Sequence, residues 1–304
     1  MRHRVLGLLF MAILVTGSQS CSIRRWAAGK LGDALASGGT TYASDNDPEL
    51  VGDALPFALK TIEGLLEATP RHEGLLLSAA SGFAQYAYVY LQTEADYVEE
   101  ADLARATHMR DRAMGLYGRA FEYGMRGLEV DHPGIRQALA DDGGVALAGM
   151  KKDDVPMLYW TSAAWSLAIS LDKTDAAMAV NLPLAENLMH RALELDPGYG
   201  DGVIHDYYIS YEGGRAGAAG GSIDRAREEL AKSLELAKGR RAAPYLAFAE
   251  SVSVANQDRK EFTDLLESAL AVKPDAAPEY RLANVVAQRR ARWLLSRIDA
   301  LFVE

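Results

Sequence analysis

Ala185-Glu186-Asn187-Leu188-Met189-His190-Arg191-Ala192-Leu193-Glu194-Leu195-Asp196-Pro197 is the stretch on which the reading of this chain turns. A small residue opens it, an apolar residue follows four positions on, a second small residue at seven, a leucine at eight and a proline at twelve. Steps of four and three put one residue per turn on a single helix face. The small residues let a neighbouring backbone come close, and the proline stops the helix and turns the chain. The spacing recurs as Ala58–Ile62–Leu65–Leu66–Pro70 and, with one extra residue, as Ala120–Gly124–Gly127–Leu128–Pro133. It returns as Ala226–Leu230–Ser233–Leu234, without a proline, and as Phe262–Leu266–Ala269–Leu270–Pro274.

A helix with one such face cannot bury it alone, so the copies must stack, and the pattern reads as the second half of a tetratricopeptide-type helix pair. The copies begin at residues 58, 120, 185, 226 and 262. The last two intervals suit consecutive helix pairs, whereas the first two are long enough to need an inserted helix or a degenerate copy. Runs of alternating Val, Ile and Thr are absent. The expected fold is all-α: tetratricopeptide-like helix-pair repeats packed as a compact curved α-α superhelical bundle.

Working outward, Asp47-Pro48 predicts the start of the first long helix, running to about Thr69. Further helices are expected over 72–95, 99–128, 155–172, 174–196 with a break at Pro183, 201–212, from Ser222 onward, and 278–302, with short turns over 129–152. The 155–172 helix is apolar but too short for a membrane span, which makes it a buried core helix.

Residues 1–20 have the form of a secretory signal, with Arg2, His3 and Arg4 before the apolar run Val5 to Val15 and then the small residues Gly17, Ser18 and Ser20. Cys21 follows, the sole cysteine of the chain, so no internal disulfide is available. A single cysteine in that place predicts lipid attachment, although Ser18-Gln19-Ser20 lacks the usual leucine three residues before it. The organisation expected is a signal peptide (1–20), a lipidated tether (21–46) and a helical repeat body (47–304). Ser22 rather than Asp after the cysteine favours sorting to an outer membrane, with the body facing the periplasm.

The formal net charge of −10 excludes a nucleic-acid partner and charge-driven binding to anionic lipid. The six histidines, His3, His72, His108, His132, His190 and His205, show no metal-ligand spacing. No nucleophile–base arrangement is recognisable. No metal, cofactor or catalytic residue is therefore expected, and the chain reads as a non-enzyme. The glycine-rich loop 213–222 lacks the Gly-Lys-Ser/Thr ending of a phosphate loop and does not follow a strand. His205-Asp206 could form a polar pair at a helix start, but ordinary hydrogen bonding explains the two residues better.

Several stretches together carry a resemblance: Gly74-Leu75-Leu76-Leu77, Ala79-Ala80-Ser81-Gly82-Phe83-Ala84-Gln85-Tyr86-Ala87-Tyr88, and His205-Asp206-Tyr207-Tyr208 with Tyr211-Glu212 before the glycine loop. Ala226-Arg227, Ala249-Glu250-Ser251, Gln257 to Phe262, Arg281-Leu282-Ala283-Asn284 and Gln288 to Leu295 complete the ordered set. Across roughly 50–300 the chain resembles the T-component lipoprotein family associated with TRAP-type transporters (TatT-like). The resemblance implies a helical periplasmic lipoprotein working beside the substrate-binding protein of a tripartite ATP-independent transporter. It also implies a cavity for a hydrophobic ligand and homo-oligomers.

Candidate cavity residues are Phe83, Tyr86, Tyr90 and Tyr97, spaced to share a helix face; Met157, Trp160 and Trp165 on the apolar helix; and Tyr207, Tyr208 and Tyr211 before the loop. Each ring couples a large apolar body to a polar tip, which suits an amphipathic ligand. Arg281, Arg289 and Arg292, with Arg290 and Arg297 nearby, are candidates for holding a carboxylate head or a partner's acids. The expected partners are a TRAP-type periplasmic substrate-binding protein, a hydrophobic small molecule and, through the anchor, a membrane. Two alternatives stand beside this. One is a tetratricopeptide scaffold for envelope assembly without a ligand cavity. The other is a lytic transglycosylase with Glu250-Ser251 as its site, whose Gly-Leu-Met-Gln stretch is absent here.

Overall fold

The computed structural model describes residues 28–34, 39–172 and 181–303, and among them there are helices and turns but no strand. The signal segment 1–20 and Cys21 lie outside the described residues. Residues 28–34 are helical, and α1 (Gly39–Ala43) leads to α2 (Pro48–Ala68). Asp47 caps α2 as expected, its carboxylate accepting the Leu50 amide at 3.0 Å, with Pro48 as the first helical residue. The chain continues through α3 (Glu73–Ala87), α4 (Thr93–Val98) and α5 (Leu103–Asp131). Then come α6 (Ile135–Asp141), α7 (Gly143–Leu147), α8 (Val155–Leu171) and α9 (Leu182–Leu195). The second half holds α10 (Val203–Gly213), α11 (Ile223–Ala237), α12 (Ala243–Phe248), α13 (Arg259–Ala271), α14 (Arg281–Ser296) and α15 (Ile298–Leu301).

The recurring pattern marks the buried face of the helices that carry it. In α5, α9, α11 and α13 its first three positions are all buried: Ala120, Gly124 and Gly127; Ala185, Met189 and Ala192; Ala226, Leu230 and Ser233; Phe262, Leu266 and Ala269. In α2 only Ile62 and Leu66 are buried, and Ala58 and Leu65 are partly covered. The small residues act by proximity. A methyl group at Gly124 would lie 2.2 Å from Thr161 Oγ1, and one at Gly127 would lie 2.2 Å from Met157 Cε. Both contacts are with α8, the apolar helix, which is a core helix rather than a span. No helix of the described residues is long and apolar enough to cross a membrane. Where the α11 copy lacks a proline, Lys238 (φ 50°) and Gly239 (φ 73°) turn the chain instead in left-handed conformations.

Several boundaries differ from expectation for local reasons. Asp102 accepts the Arg105 amide at 3.0 Å, so α5 begins at Leu103 rather than 99. Pro183 sits in the first turn of α9, where its missing N–H costs nothing, and the part of the expected 174–196 helix over 174–180 lies outside the described residues. The turns expected over 129–152 contain α6 and α7. The last helix is shorter than 278–302, because Pro278–Tyr280 form a separate tight turn and Arg297 interrupts the far end.

Packing follows chain order. α2 lies on α3, α3 on α5, α5 on α8 and α8 on α9; then α10 packs on α11 and α12, α12 on α13, and α13 on α14. One apolar core spans Leu59 to Ile204, a small one joins Ile209, Ala226, Leu230, Phe248 and Val252, and a third runs from Ala242 to Phe302. The path then closes, because α14 also packs against α1 and α2 at the other end of the chain.

Gly124→Ala should lower the melting temperature, by an amount equivalent to about 1–3 kcal/mol of overpacking. Gly115→Ala, on the exposed side of the same helix with no atom within 4 Å of the new methyl, should raise stability by about 1 kcal/mol. Thermal melts of the two variants check the sign of each.

Candidate functional site

The two ends of the helical path meet at a seam built around two widened turns. At Tyr88–Gln92 and again at Ala249–Ser253 the backbone bonds step to i+5, as in Thr93 N–H to Tyr88 O and Val254 N–H to Ala249 O. Such π turns insert one residue, shift the facing of everything beyond them and are frequent at functional sites. Past the first turn stand Glu94, Asp96, Glu99 and Glu100; the second turn carries Glu250; and α14 brings Arg289 and Arg290, with Arg297 just after it.

These charges form a chain of ion pairs. Glu99 takes two bonds from Arg110, at 3.0 and 2.8 Å, and Arg110 reaches Asp96 at 2.8 Å. Asp96 pairs with Arg290 at 2.9 Å, and Arg290 donates through Nε and Nη2 to Glu250 Oε1 at 2.9 and 2.8 Å. The Arg290 guanidinium also lies 4.4 Å from the Trp293 ring centroid and 5.7 Å from that of Tyr97, and the two rings are 5.1 Å apart. Burial works against the charge of Arg290, but Glu250 and Asp96 outweigh it and raise its pKa. Burial pushes the Glu250 carboxyl up, and Arg290 only partly offsets this. Around this core, Arg289 pairs with Glu49 at 3.1 Å and Glu94 at 3.0 Å, Arg297 pairs with Glu100, and Arg281 donates to Ser44 O at 2.9 Å.

Tyr88 opens the first π turn. The residue is 43% exposed, and its side chain has no aromatic partner and no hydrogen bond among the described residues. The surrounding protein nevertheless desolvates its hydroxyl and, with Glu250 adding, pushes the pKa up to about 12.

The ten aromatic and methionine candidates do not converge on one site. Phe83 is buried and stacks on Tyr123, ring centroids 5.9 Å apart, with the Arg119 guanidinium 5.2 Å from its own centroid. Tyr86 and Tyr90 pair at 5.4 Å, and the Tyr90 ring lies against Gly52 of α2. Tyr97, beyond the π turn, faces Trp293 instead, so the four rings expected on one helix face meet three different neighbours. Met157 fills the gap at Gly127; Trp160 packs edge-on to Tyr159 at 5.0 Å; Trp165 lies 4.5 Å from Phe121, its indole N–H buried without a partner. Tyr207, Tyr208 and Tyr211 form a third cluster, at centroid separations from 5.2 to 5.9 Å, in which Tyr211 donates to Glu186 beneath the Arg215 guanidinium. Two open surface clefts, of about 390 and 380 Å³, are lined by other residues: Asp258, Glu261 and Leu265 in one, Leu193, His205 and Leu236 in the other.

Of the basic candidates, Arg281 and Arg289 are engaged by the seam, whereas Arg292 is exposed and makes no ion pair among the described residues. His205 and Asp206 do not pair with each other, because consecutive helix residues point about 100° apart. His205 bonds Glu229 at 2.5 Å, and Asp206 is held by the buried Arg241 and by Ser233. The loop 213–222 is pinned by Arg215 and Arg225, which both reach the Gly220 carbonyl. Among the described residues no group of three or more His, Cys, Asp or Glu side chains could hold a metal ion. Tyr88 and Asp96 had no motif to announce them. The signal that could have found the seam is the match between the acids at 94, 96, 99 and 100 and the arginines at 289, 290 and 297.

The family model of the TRAP transporter T-component matches residues 44–302. An uncharacterized protein of Treponema pallidum (strain Nichols) is 26% identical over 297 residues, covering 96% of this chain and 92% of that protein. The matched family is a transporter component rather than an enzyme family.

Replacing Arg290 with Met should leave the Glu250 carboxyl without its cation and Asp96 with Arg110 alone, at a cost of about 3 kcal/mol. Arg292→Met should stay within about 0.5 kcal/mol of the parent. Urea denaturation of the two variants measures both.

Proposed function

We propose, from the premise that this chain belongs to the TRAP transporter T-component family, a periplasm-facing lipoprotein role in solute uptake. In this role it holds a hydrophobic or amphipathic small molecule in a hollow between its helices. It docks the periplasmic substrate-binding protein of such a transporter, and it performs no covalent chemistry. The match across 44–302 carries the reading. Tyr88 supports the hollow: a large ring left 43% exposed, with no aromatic partner among the described residues, is what an internal wall would present. The closure of α14 onto α1 and α2 supports it too, since a closed path of helices has an inside. Lipid attachment at Cys21, outer-membrane sorting and self-association complete the proposal. Tetratricopeptide-like repeats would supply the curvature.

A second reading has its own observation. The candidate rings pack on one another in separate clusters, as they would in an envelope-assembly scaffold whose core is filled.

Protein extracted from membranes and analysed by native mass spectrometry should carry a small apolar molecule, and it should co-elute with the transporter's substrate-binding protein. A ligand-free protein that ignores the binding protein would favour the scaffold. Cys21→Ser should move the protein from the membrane to the soluble fraction with an unchanged circular dichroism spectrum, and a variant that still pellets would remove the lipid anchor from the proposal.

A further inference from the structure

We infer that the cleft where the end of α9 faces α10 and α11 is a binding site for a small alkylammonium, whose charged head meets His205 Nε2 and the Glu235 carboxylate and whose stem lies on Leu193, Pro197 and Leu236. The inference goes beyond the role proposed above. The cleft shares no residue with the seam or with the candidate rings.

The cleft is built on a buried histidine. Its volume is about 380 Å³; Leu193, Pro197 and Leu236 supply the apolar wall, and His205, Lys232 and Glu235 the polar groups. The His205 side chain is only 5% exposed, yet it lines this space. Its Nδ1 meets Glu229 Oε2 at 2.5 Å. Nε2 has no hydrogen bond among the described residues, and it is not one of the unpartnered atoms sealed inside the protein. The small open part of the ring therefore includes Nε2, and it faces the cleft.

Glu229 decides what Nε2 can do. Burial works against the charge of its carboxyl, but hydrogen bonds from His205 and Lys232 outweigh it and hold the pKa below the ordinary carboxylate value. An ionised carboxylate only accepts, so Nδ1 carries a proton, and in the neutral ring Nε2 offers a lone pair. Lys232 is held on the other Glu229 oxygen at 2.8 Å, which matches its charge. Glu235 is exposed and has no ion pair among the described residues. Asp206, next to His205 on α10, is matched by Arg241.

The ring is thus faced by two carboxylates, Glu229 and Glu235, and one ammonium, Lys232. This lining is negative with the ring neutral and is not positive even with the ring protonated, so an anion gains nothing there. A hydroxyl can donate to Nε2 but leaves Glu235 uncompensated. An ammonium donates to the one and neutralises the other. A cleft this small, at the low end for ligand sites, suits a short apolar stem.

Calorimetric titration of the full-length protein at pH 8 with hexylamine, hexanol and hexanoate tests the assignment. The three probes share a chain, and their heads are cationic, neutral and anionic. Hexylamine should bind at least about tenfold more tightly than either of the others, the effect of one hydrogen bond to a charged group. It should also shift the imidazole NMR signal of His205, identified as the one missing in His205→Asn. That variant keeps an N–H for Glu229 and removes the Nε2 acceptor, and it should weaken hexylamine several-fold. Glu235→Gln should do the same at an unchanged melting temperature, so it decides if His205→Asn does not fold. Hexanol or hexanoate binding as tightly as hexylamine would overturn the head assignment. Hexylamine that ignores the variants, or does not bind, would overturn the cleft and leave the proposed function standing. A lysine blocked at both ends that binds more tightly than hexylamine would assign the cleft to a protein side chain and overturn the free amine.

Discussion

The guanidinium of Arg290 is the most buried of the arginine links that hold the two ends of this fold together. It lies between Asp96 from the first third of the chain and Glu250 from the last, against the rings of Tyr97 and Trp293. The side chain is only 15% exposed, so its pairs are far less screened than ordinary surface ion pairs. A stack of helices that contact only their neighbours would stay open-ended, its terminal faces wet. Here the terminal face of α14 is covered by α1 and α2, and the charges of Arg289, Arg290 and Arg297 are spent on the opposite end of the chain rather than on a partner.

That closure depends on two features of opposite kind. Close approach of the helices requires the missing side chains at Gly124 and Gly127, which let α8 sit almost on the backbone of α5. Correct facing requires the two π turns. Without the extra residue at Tyr88–Gln92, Tyr97 would fall near the face of Phe83 and Tyr86, toward α5 and α2, and not toward α14, and Asp96 beside it would be turned by the same amount.

Much of the architecture was legible in the sequence, because it rests on short-range physics. The four-and-three spacing found the buried faces of α5, α9, α11 and α13, Asp47-Pro48 found the start of α2, and Ser222 found the start of α11. The basic segment of α14 stood out in an acidic chain, but its partners at 94, 96 and 100 lie some two hundred residues away, where no local pattern points. Periodicity also misled at the rings. Phe83, Tyr86, Tyr90 and Tyr97 fit one face of a regular helix, and a π turn is invisible to a count that assumes a constant 3.6 residues per turn. Glu250 was legible only as a lone acid with a catalytic alternative, whereas in the structure it is tied to an arginine.

Whether the closed path surrounds an opening at Tyr88 is the point on which the account stands. Cys21 is the sole natural cysteine, so Tyr88→Cys in a Cys21→Ser background gives a single reporter. Its reaction with a small methanethiosulfonate and with a large polyethylene-glycol maleimide measures both access and enclosure. The account predicts fast modification by the small reagent and none by the large one. Equal reaction with both would place residue 88 on the outer surface, and reaction with neither would show a filled interior; either result contradicts the account.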